Sequence, residues 1–244
     1  MLPATFIQSH HYIDLLNCHK ITMNTFKKLI RKIAGNKELS VSRDAEAPSD
    51  FYDQAYSSTS EYFKHYTNSR YYFIWTVLLD RVIRISQHAR VLEIGCGPGQ
   101  FAQMLVDNEI KSYYGFDFSA KAIELAQGKS LQTANFHVGN AYEEPLMQRS
   151  ASMFDVVICT EVLEHIDRDL EVINRLEPGT RLLATVPNFP YVSHVRHFDT
   201  VQSVRERYAT YFNHFTVVGL KQPHPSTNVY WVFEGIVSNG KSNQ

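Results

Sequence analysis

Three features of the chain predict an α/β fold with a seven-stranded, mostly parallel sheet, helices on both faces and a helical extension at its amino end. From residue 90 onward, short apolar runs alternate with segments of helical periodicity, the pattern of parallel strands joined by crossovers. The first run breaks into a turn with glycines at every second position, Gly95, Gly97 and Gly99. Two strand-like runs in succession close the chain. A length of 244 residues accommodates one such domain with additions.

The elements follow in order. Residues 1–50 read as an extension and linker. Within them, 20–37 carries Lys20, Lys27, Lys28, Arg31, Lys32 and Lys37 with no acid, while Phe26, Leu29, Ile30 and Ile33 share one helical face. Such a helix suits either peripheral contact with an anionic membrane or docking on its own domain. Met23 is a second candidate start. Stretch 36–50 lacks periodicity and reads as linker. An aromatic-rich block, 51–89, is expected to form a helical lid that packs on the sheet. Strand 1 is expected at 90–95, a helix at 99–108, strand 2 at 112–117, and a helix at 119–127 capped by Ser119. Strand 3 is expected at 134–138 and strand 4 at 154–159. The stretch between them, 140–152, leaves room for only a turn or two of helix. A helix at 167–176 ends at Pro178-Gly179, and strand 5 spans 181–186 before Pro187. A helix at 200–210, with Ser203 and Glu206 as a capping box, and strands at 214–220 and 229–237 complete the chain.

Composition narrows the function. Hydrophobic residues make up 44% and charged residues 20%, ordinary for a soluble globular protein, and the net charge of -1 supplies no global field for nucleic acid. Cys18, Cys96 and Cys159 are widely spaced with no Cys-x-x-Cys pair, which favours a reducing compartment over a zinc site or disulfide framework. The apolar run 71–79 is too short to span a bilayer and no secretory segment is apparent, so the expectation is a cytoplasmic protein. Oligomeric state is not legible.

The chemistry concentrates where strands end. Glycines without Cβ atoms let a ligand lie against the backbone at the carboxyl end of strand 1. The spacing is neither Gly-x-Gly-x-x-Gly nor a P-loop. Glu93, two residues before Gly95, suits a cationic or hydroxyl-bearing ligand. Asp117 ends strand 2, where a carboxylate can accept hydrogen bonds from both hydroxyls of a ribose. An acid at similar spacing serves NAD in other folds, so Asp117 alone does not separate the cofactors. Glu-x-Gly-x-Gly-x-Gly resembles motif I of the class I S-adenosylmethionine (SAM)-dependent methyltransferases, and the chain from about 88 to 237 follows that family's order of motifs.

That resemblance implies a Rossmann-like sheet with the seventh strand antiparallel beside the fifth, a methyltransferase domain over 90–240, and SAM as cofactor. It places the cofactor on Glu93, Gly95, Cys96, Gly97 and Gly99, on Asp117 and Phe118, on Asn140 and Ala141, and on Thr160 and Glu161. Gly139-Asn140-Ala141 departs from the usual Gly-Asp-Ala; Asn140 keeps an amide oxygen for the adenine amino group but no charge. The stretch Cys159-Thr160-Glu161-Val162-Leu163-Glu164-His165 matches the family's Leu-Glu-His signature, at the junction of cofactor and substrate.

A SAM-dependent transfer to oxygen needs the acceptor placed in line and a proton removed. His165 is the first candidate base and His194, in the loop after strand 5, the second. In that loop Arg196 offers a fork for a carboxylate or phosphate, and His197 adds polar reach, so both are expected to bind substrate. Tyr56, Tyr62 and Tyr66 are expected to line the acceptor pocket. Glu161, Glu164 and His165 could share one helical face as metal ligands, an arrangement similar to that of some quinone-pathway O-methyltransferases and small-RNA 2′-O-methyltransferases. Many metal-free relatives carry similar residues, so no metal is assigned. The Asn/Asp-Pro-Pro-Tyr/Phe signature of base-directed amino methyltransferases is absent. The resulting expectation is methyl transfer to a small-molecule acceptor, at a hydroxyl oxygen, most like the quinone-biosynthesis type. The alternatives are an RNA 2′-O-methyltransferase with a Glu-x-x-Glu-His metal site, and a non-catalytic SAM-fold interaction protein.

Overall fold

The computed structural model describes residues 45–239, so the basic stretch 20–37 and Met23 lie outside the described residues. Seven strands form one sheet in the order β3-β2-β1-β4-β5-β7-β6. They are β1 (Arg90–Ile94), β2 (Ser112–Asp117), β3 (Ala134–Val138), β4 (Val156–Thr160), β5 (Arg181–Pro187), β6 (Phe212–Lys221) and β7 (Val229–Val237). The first five run parallel, and β7 inserts antiparallel between β5 and β6.

Side-chain alternation divides the interior into two cores. Along the strands, Val91, Tyr113, Val156, Ile158, Leu183 and Val232 point to one face, while Leu92, Phe116, Val157, Cys159, Leu182 and Phe233 point to the other. Both faces are covered, which is why the strands read as near-continuous apolar runs. On the first face lie α2 (Tyr72–Ile85), α3 (Gln100–Asp107) and α4 (Ala120–Gly128). In α2, Ile74, Trp75, Leu78, Leu79 and Val82 recur at helical spacing and are buried. On the second lie α6 (Asp169–Asn174) and α7 (Val201–Tyr208). Before the sheet, α1 (Ser49–Ser58) and two short 3₁₀ turns, Ser60–Phe63 and Tyr66–Asn68, make up the aromatic block.

The elements occur where expected, with local differences that have physical causes. Ser119 caps α4, its hydroxyl accepting from Ala122 N at 3.0 Å. The β3–β4 connection is short, a 3₁₀ turn at Pro145–Arg149 followed by α5 (Ser150–Met153). The capping box of α7 is formed by Thr200 and Ser203 instead of Ser203 and Glu206, because Thr200 already has extended backbone and its hydroxyl accepts from Ser203 N at 3.1 Å. β6 starts earlier than its apolar pattern suggests, since a bulge at 213–216, with His214 at φ 57°, interrupts the alternation.

Phe233 ties the antiparallel strand to the second core, stacking on Tyr208 with ring centroids 4.9 Å apart. Replacing it with Ala should cost about 3–5 kcal/mol, read from the urea midpoint. A loss of less than about 1 kcal/mol would show that β7 does not anchor this core.

Candidate active site

Strand order reverses between β1 and β4, so the loops after them leave on opposite faces and open a crevice at the carboxyl ends of the strands. The loop after β1 holds Gly95, Gly97 and Gly99 at φ 69°, 52° and 70°, conformations that side chains resist. A Cβ on Gly95 would collide with Val162, and one on Gly97 would stand 3.3 Å from the Tyr56 hydroxyl. The loop is pinned to β2: Gly95 N and Cys96 N both donate to Phe116 O, at 2.9 and 3.0 Å, and Gly97 N donates to Asp117 Oδ2 at 2.9 Å.

Beside the loop lies an open cleft, a concave site of the kind that takes small molecules. Gly95, Asp117, Phe118, Asn140, Ala141 and Glu161 line it, as the motif order implied. Burial pushes the Asp117 carboxyl up to about 6, with the Ser119 and Gly97 amides pulling it down and Asp53 pushing it up. Asn140 Oδ1 already accepts from Tyr142 N at 2.9 Å, which fixes the turn that carries it. The segment before β1 covers the cleft. Glu46 accepts from Tyr142 Oη at 2.9 Å and Asp167 N at 3.0 Å, and Asp53 accepts from the Ser119 hydroxyl and from Lys121 N. Tyr56 lines the cleft and packs against Tyr62, the rings tilted with centroids 4.5 Å apart.

Three cofactor candidates sit beneath the cleft instead of in it. Glu93 is buried and accepts from the Tyr113 hydroxyl, and burial pushes its carboxyl up to about 8. It braces the base of the loop and does not line the cleft. The Cys96 thiol is buried and donates to Gly97 O at 3.7 Å, so it does not line the cleft. The Thr160 hydroxyl is buried without a hydrogen-bond partner.

At the far wall of the cleft a buried carboxyl and two imidazoles converge; burial, with Glu161 alongside, pushes the Glu164 carboxyl well up. The Glu164 carboxylate is fully buried, and neither oxygen has a hydrogen-bond partner. His165 Nδ1 lies 2.9 Å from Ser193 O, and His194 Nδ1 lies 3.1 Å from Phe189 O. A carbonyl cannot donate, so both Nδ1 atoms carry the hydrogen and both Nε2 atoms keep a lone pair. One ligand atom from each of the three residues lies within 4.8 Å of the others. Burial pushes His165 down to about 4 and, with His165 alongside, His194 down to about 3; both are neutral at physiological pH. Glu161 is not on a shared helical face with Glu164. Its backbone is left-handed at φ 55° and its carboxylate accepts from the Thr185 hydroxyl at 2.9 Å. The third member of the cluster is therefore His194, from a distant loop.

Several expectations for substrate contacts are corrected. Arg196 does not face the cleft: its guanidinium donates to Leu163 O, Ile166 O and Asp167 O and pairs with Asp169. His197 is exposed, 3.5 Å from Asp199. Tyr66 stacks on His65 and interacts with Asp107 of α3, away from the cleft. The residues the sequence reading missed are aromatic. Tyr52 lies between Phe118 and His165, with centroids 5.1 and 5.8 Å away. Phe189 and Tyr191 flank His194, and Phe189 leads on to Tyr230. Arg70 was missed as well. It donates to Tyr71 Oη at 3.0 Å, draws the Glu161 carboxyl down, and has no carboxylate partner among the described residues. Nothing in the local sequence distinguishes these positions from core aromatics or a surface arginine.

Residues 63–223 match the family model described as a methyltransferase domain. The chain is similar to the ubiquinone biosynthesis O-methyltransferases of Paracidovorax citrulli (32% identical over 89 residues, 36% of this chain and 37% of that one) and Vibrio vulnificus (33% over 105 residues, 41% and 44%). These matches span well under half the length of those relatives. The structure is similar to that of magnesium protoporphyrin IX methyltransferase from Synechocystis with bound SAM, with TM-score 0.57 and 15% identity over 80% of this chain and 99% of that one. At that identity the likeness is one of fold.

An ionised Asp117 is the stronger acceptor for ribose hydroxyls, so affinity present above its raised pKa is lost as pH falls through it. The dissociation constant for S-adenosylhomocysteine, measured by calorimetry, should rise roughly ten-fold between about pH 7 and about pH 5. Asp117→Asn should flatten that dependence. A constant independent of pH in the unaltered protein would detach Asp117 from the ribose.

Proposed function

The chain belongs to the methyltransferase-domain family, and we propose that it methylates a hydroxyl oxygen of a small molecule at a centre where Glu164, His165 and His194 hold a divalent cation. Its cofactor is S-adenosylmethionine. The observation that carries the proposal is the buried Glu164 carboxylate, which has no donor and faces two imidazole lone pairs beside the cofactor cleft. An ionised carboxylate in such a place costs several kcal/mol unless paired, and one carboxylate with two neutral imidazoles is a donor set that divalent metals accept. The sequence reading assigned no metal and weighed Glu161, Glu164 and His165 as the ligands of one.

The residues around the cleft fit SAM. Asp117 would take the ribose, Phe118 and Asn140 the adenine, and the glycine loop would leave room for the chain beyond; all but the loop's Gly97 and Gly99 line the cleft. Arg70, which bonds to Tyr71 Oη and has no carboxylate partner among the described residues, would supply a cation for the methionine carboxylate. SAM itself supplies a sulfonium methyl that reacts with a nucleophile in line. A divalent cation at the cluster would lower the pKa of a hydroxyl bound to it.

The chain's own residues place the acceptor. Phe189, Tyr191 and Tyr230 form aromatic walls around His194 and suit a planar hydroxylated ring. Tyr52 separates the cofactor side from the acceptor side and keeps water from the gap. If no cation is present, the same Nε2 lone pairs make His165 and His194 the bases that the sequence suggested. The names of the relatives, O-methyltransferases of a quinone pathway, support oxygen as the acceptor atom. Among the described residues no helix is long and apolar enough to cross a membrane. The buried, unpaired Cys96 and Cys159 support a reducing, cytoplasmic setting.

A SAM-consumption screen over hydroxylated aromatics and a short RNA, with mass spectrometry of products, should find one methyl added at a phenolic oxygen. Transfer to nitrogen or carbon, or to the RNA alone, would overturn the acceptor class. EDTA should abolish turnover and an added divalent metal restore it, and His165→Ala should slow it by about 10²-fold or more. Turnover indifferent to chelation would return the histidines to the role of base.

Arg70→Met should weaken S-adenosylhomocysteine binding about ten-fold. Unchanged calorimetric affinity would remove Arg70 from the cofactor site.

A further inference from the structure

We propose that Arg196, braced by the buried Asp169, is the positioning residue that shapes the Glu164–His165 turn and faces it toward His194. The turn has little structure of its own. Leu163–His165 is a single 3₁₀ turn held internally by His165 N donating to Val162 O at 2.9 Å, and one such bond does not hold a short segment in one geometry. What holds it comes from the loop after β5. The Arg196 guanidinium donates to Leu163 O at 2.5 Å, to Ile166 O and to Asp167 O at 2.8 Å. Val195 N and Arg196 N donate to Glu164 O at 2.8 and 3.3 Å. In return, Ser193 O accepts from His165. Two segments distant in sequence are thus locked together, and His194 sits between the locking residues.

The clamp needs an arginine. Three carbonyls in different directions are met by one planar, rigid set of donors, which a lysine ammonium reproduces only in part. The guanidinium is in turn held from behind. Asp169, fully buried at the start of α6, stands 3.4 Å from Arg196 Nη1. Its oxygens also accept from Arg207 at 2.8 and 2.5 Å and from Tyr208 Oη at 2.7 Å. Through Asp169, the helix α7 and the second core fix where Arg196 lies, and through Arg196 they fix where Glu164 and His165 lie. Every donor of Arg196 that bears on the site is spent on backbone, so the residue acts through the turn and not on a ligand.

The inference rests on the proposed function for its turnover readout, but its structural readout does not. Arg196→Met and Arg196→Lys would be compared with the unaltered protein. Both variants should melt cooperatively and bind S-adenosylhomocysteine within about two-fold of it, because the glycine-loop, Asp117 and Asn140 side of the cleft is built on segments that Arg196 does not touch. The slowly exchanging Nδ1–H resonance of His165, bonded to Ser193 O, should disappear in Arg196→Met and persist in Arg196→Lys. With an acceptor from the screen, kcat should fall about 10²-fold in Arg196→Met with little change in the KM for SAM, and Arg196→Lys should recover part of the loss. An unaltered histidine resonance in Arg196→Met would overturn the proposal, as would loss of cofactor binding in parallel with the resonance. If no acceptor is found, the resonance and the affinity still decide the matter, while only the proposed function fails.

Discussion

The reversal of strand order between β1 and β4 is the constraint on which the site depends. A right-handed crossover from each strand places its helix on a fixed face, so the reversal sends neighbouring connections apart and leaves a gap between them. Both halves of the site hang from that gap. The glycine loop and Asp117 stand on the β1–β2 side, and Glu161 through His165 on the β4 side. Pairing of Ile94 with Cys159 brings the two loops level at the sheet edge. Val162 then packs where any side chain at position 95 would have to go, so the glycine serves contact across the gap as much as access for a ligand.

Four carboxyl groups crowd this edge, and each is handled differently. Glu93 takes a tyrosine hydroxyl, Asp117 takes two backbone amides, and Glu161 takes a threonine hydroxyl. Glu164 takes nothing. The first three follow the rule that buried polar groups are hydrogen-bonded. The same rule makes the fourth informative, because the surrounding structure could have supplied a donor and supplies two imidazole lone pairs in its place. Perturbed titration of clustered buried groups also marks functional sites more often than structural ones.

The sequence made the scaffold and the cofactor half legible because the signals there are local. Ser119 caps the helix that begins beside it, and Asp117 ends the strand that carries it. The glycine positions require the conformations that the backbone shows. The Glu164–His165–His194 cluster was legible only in part. His165 and His194 were recognisable as polar residues after strands, but their pairing depends on two loops meeting through tertiary contact. Arg196 carried the right chemistry for a misplaced role: its fork is real, and its partners are carbonyls about thirty positions upstream. Glu161 was read onto a helical face that its left-handed backbone does not form. Tyr52, Phe189, Tyr230 and Arg70 gave no signal, since an aromatic side chain in a pocket and one in a core have the same local pattern.

This division follows from what each half must do. A cofactor of constant shape can be held by a strand end, a turn and a helix start, all close in sequence and all made mainly of backbone. An acceptor group and its activating cluster need several side chains facing one point, and no single element of secondary structure provides that. Here the convergence is bought from distant segments through Arg196, Asp169 and the second core. Glu164, His165 and His194 are held in an arrangement that burial alone disfavours. The parts of the chain that look most like ordinary core, Tyr208 stacked on Phe233 of the antiparallel strand, therefore bear on the geometry at the opposite end of the Arg196 clamp.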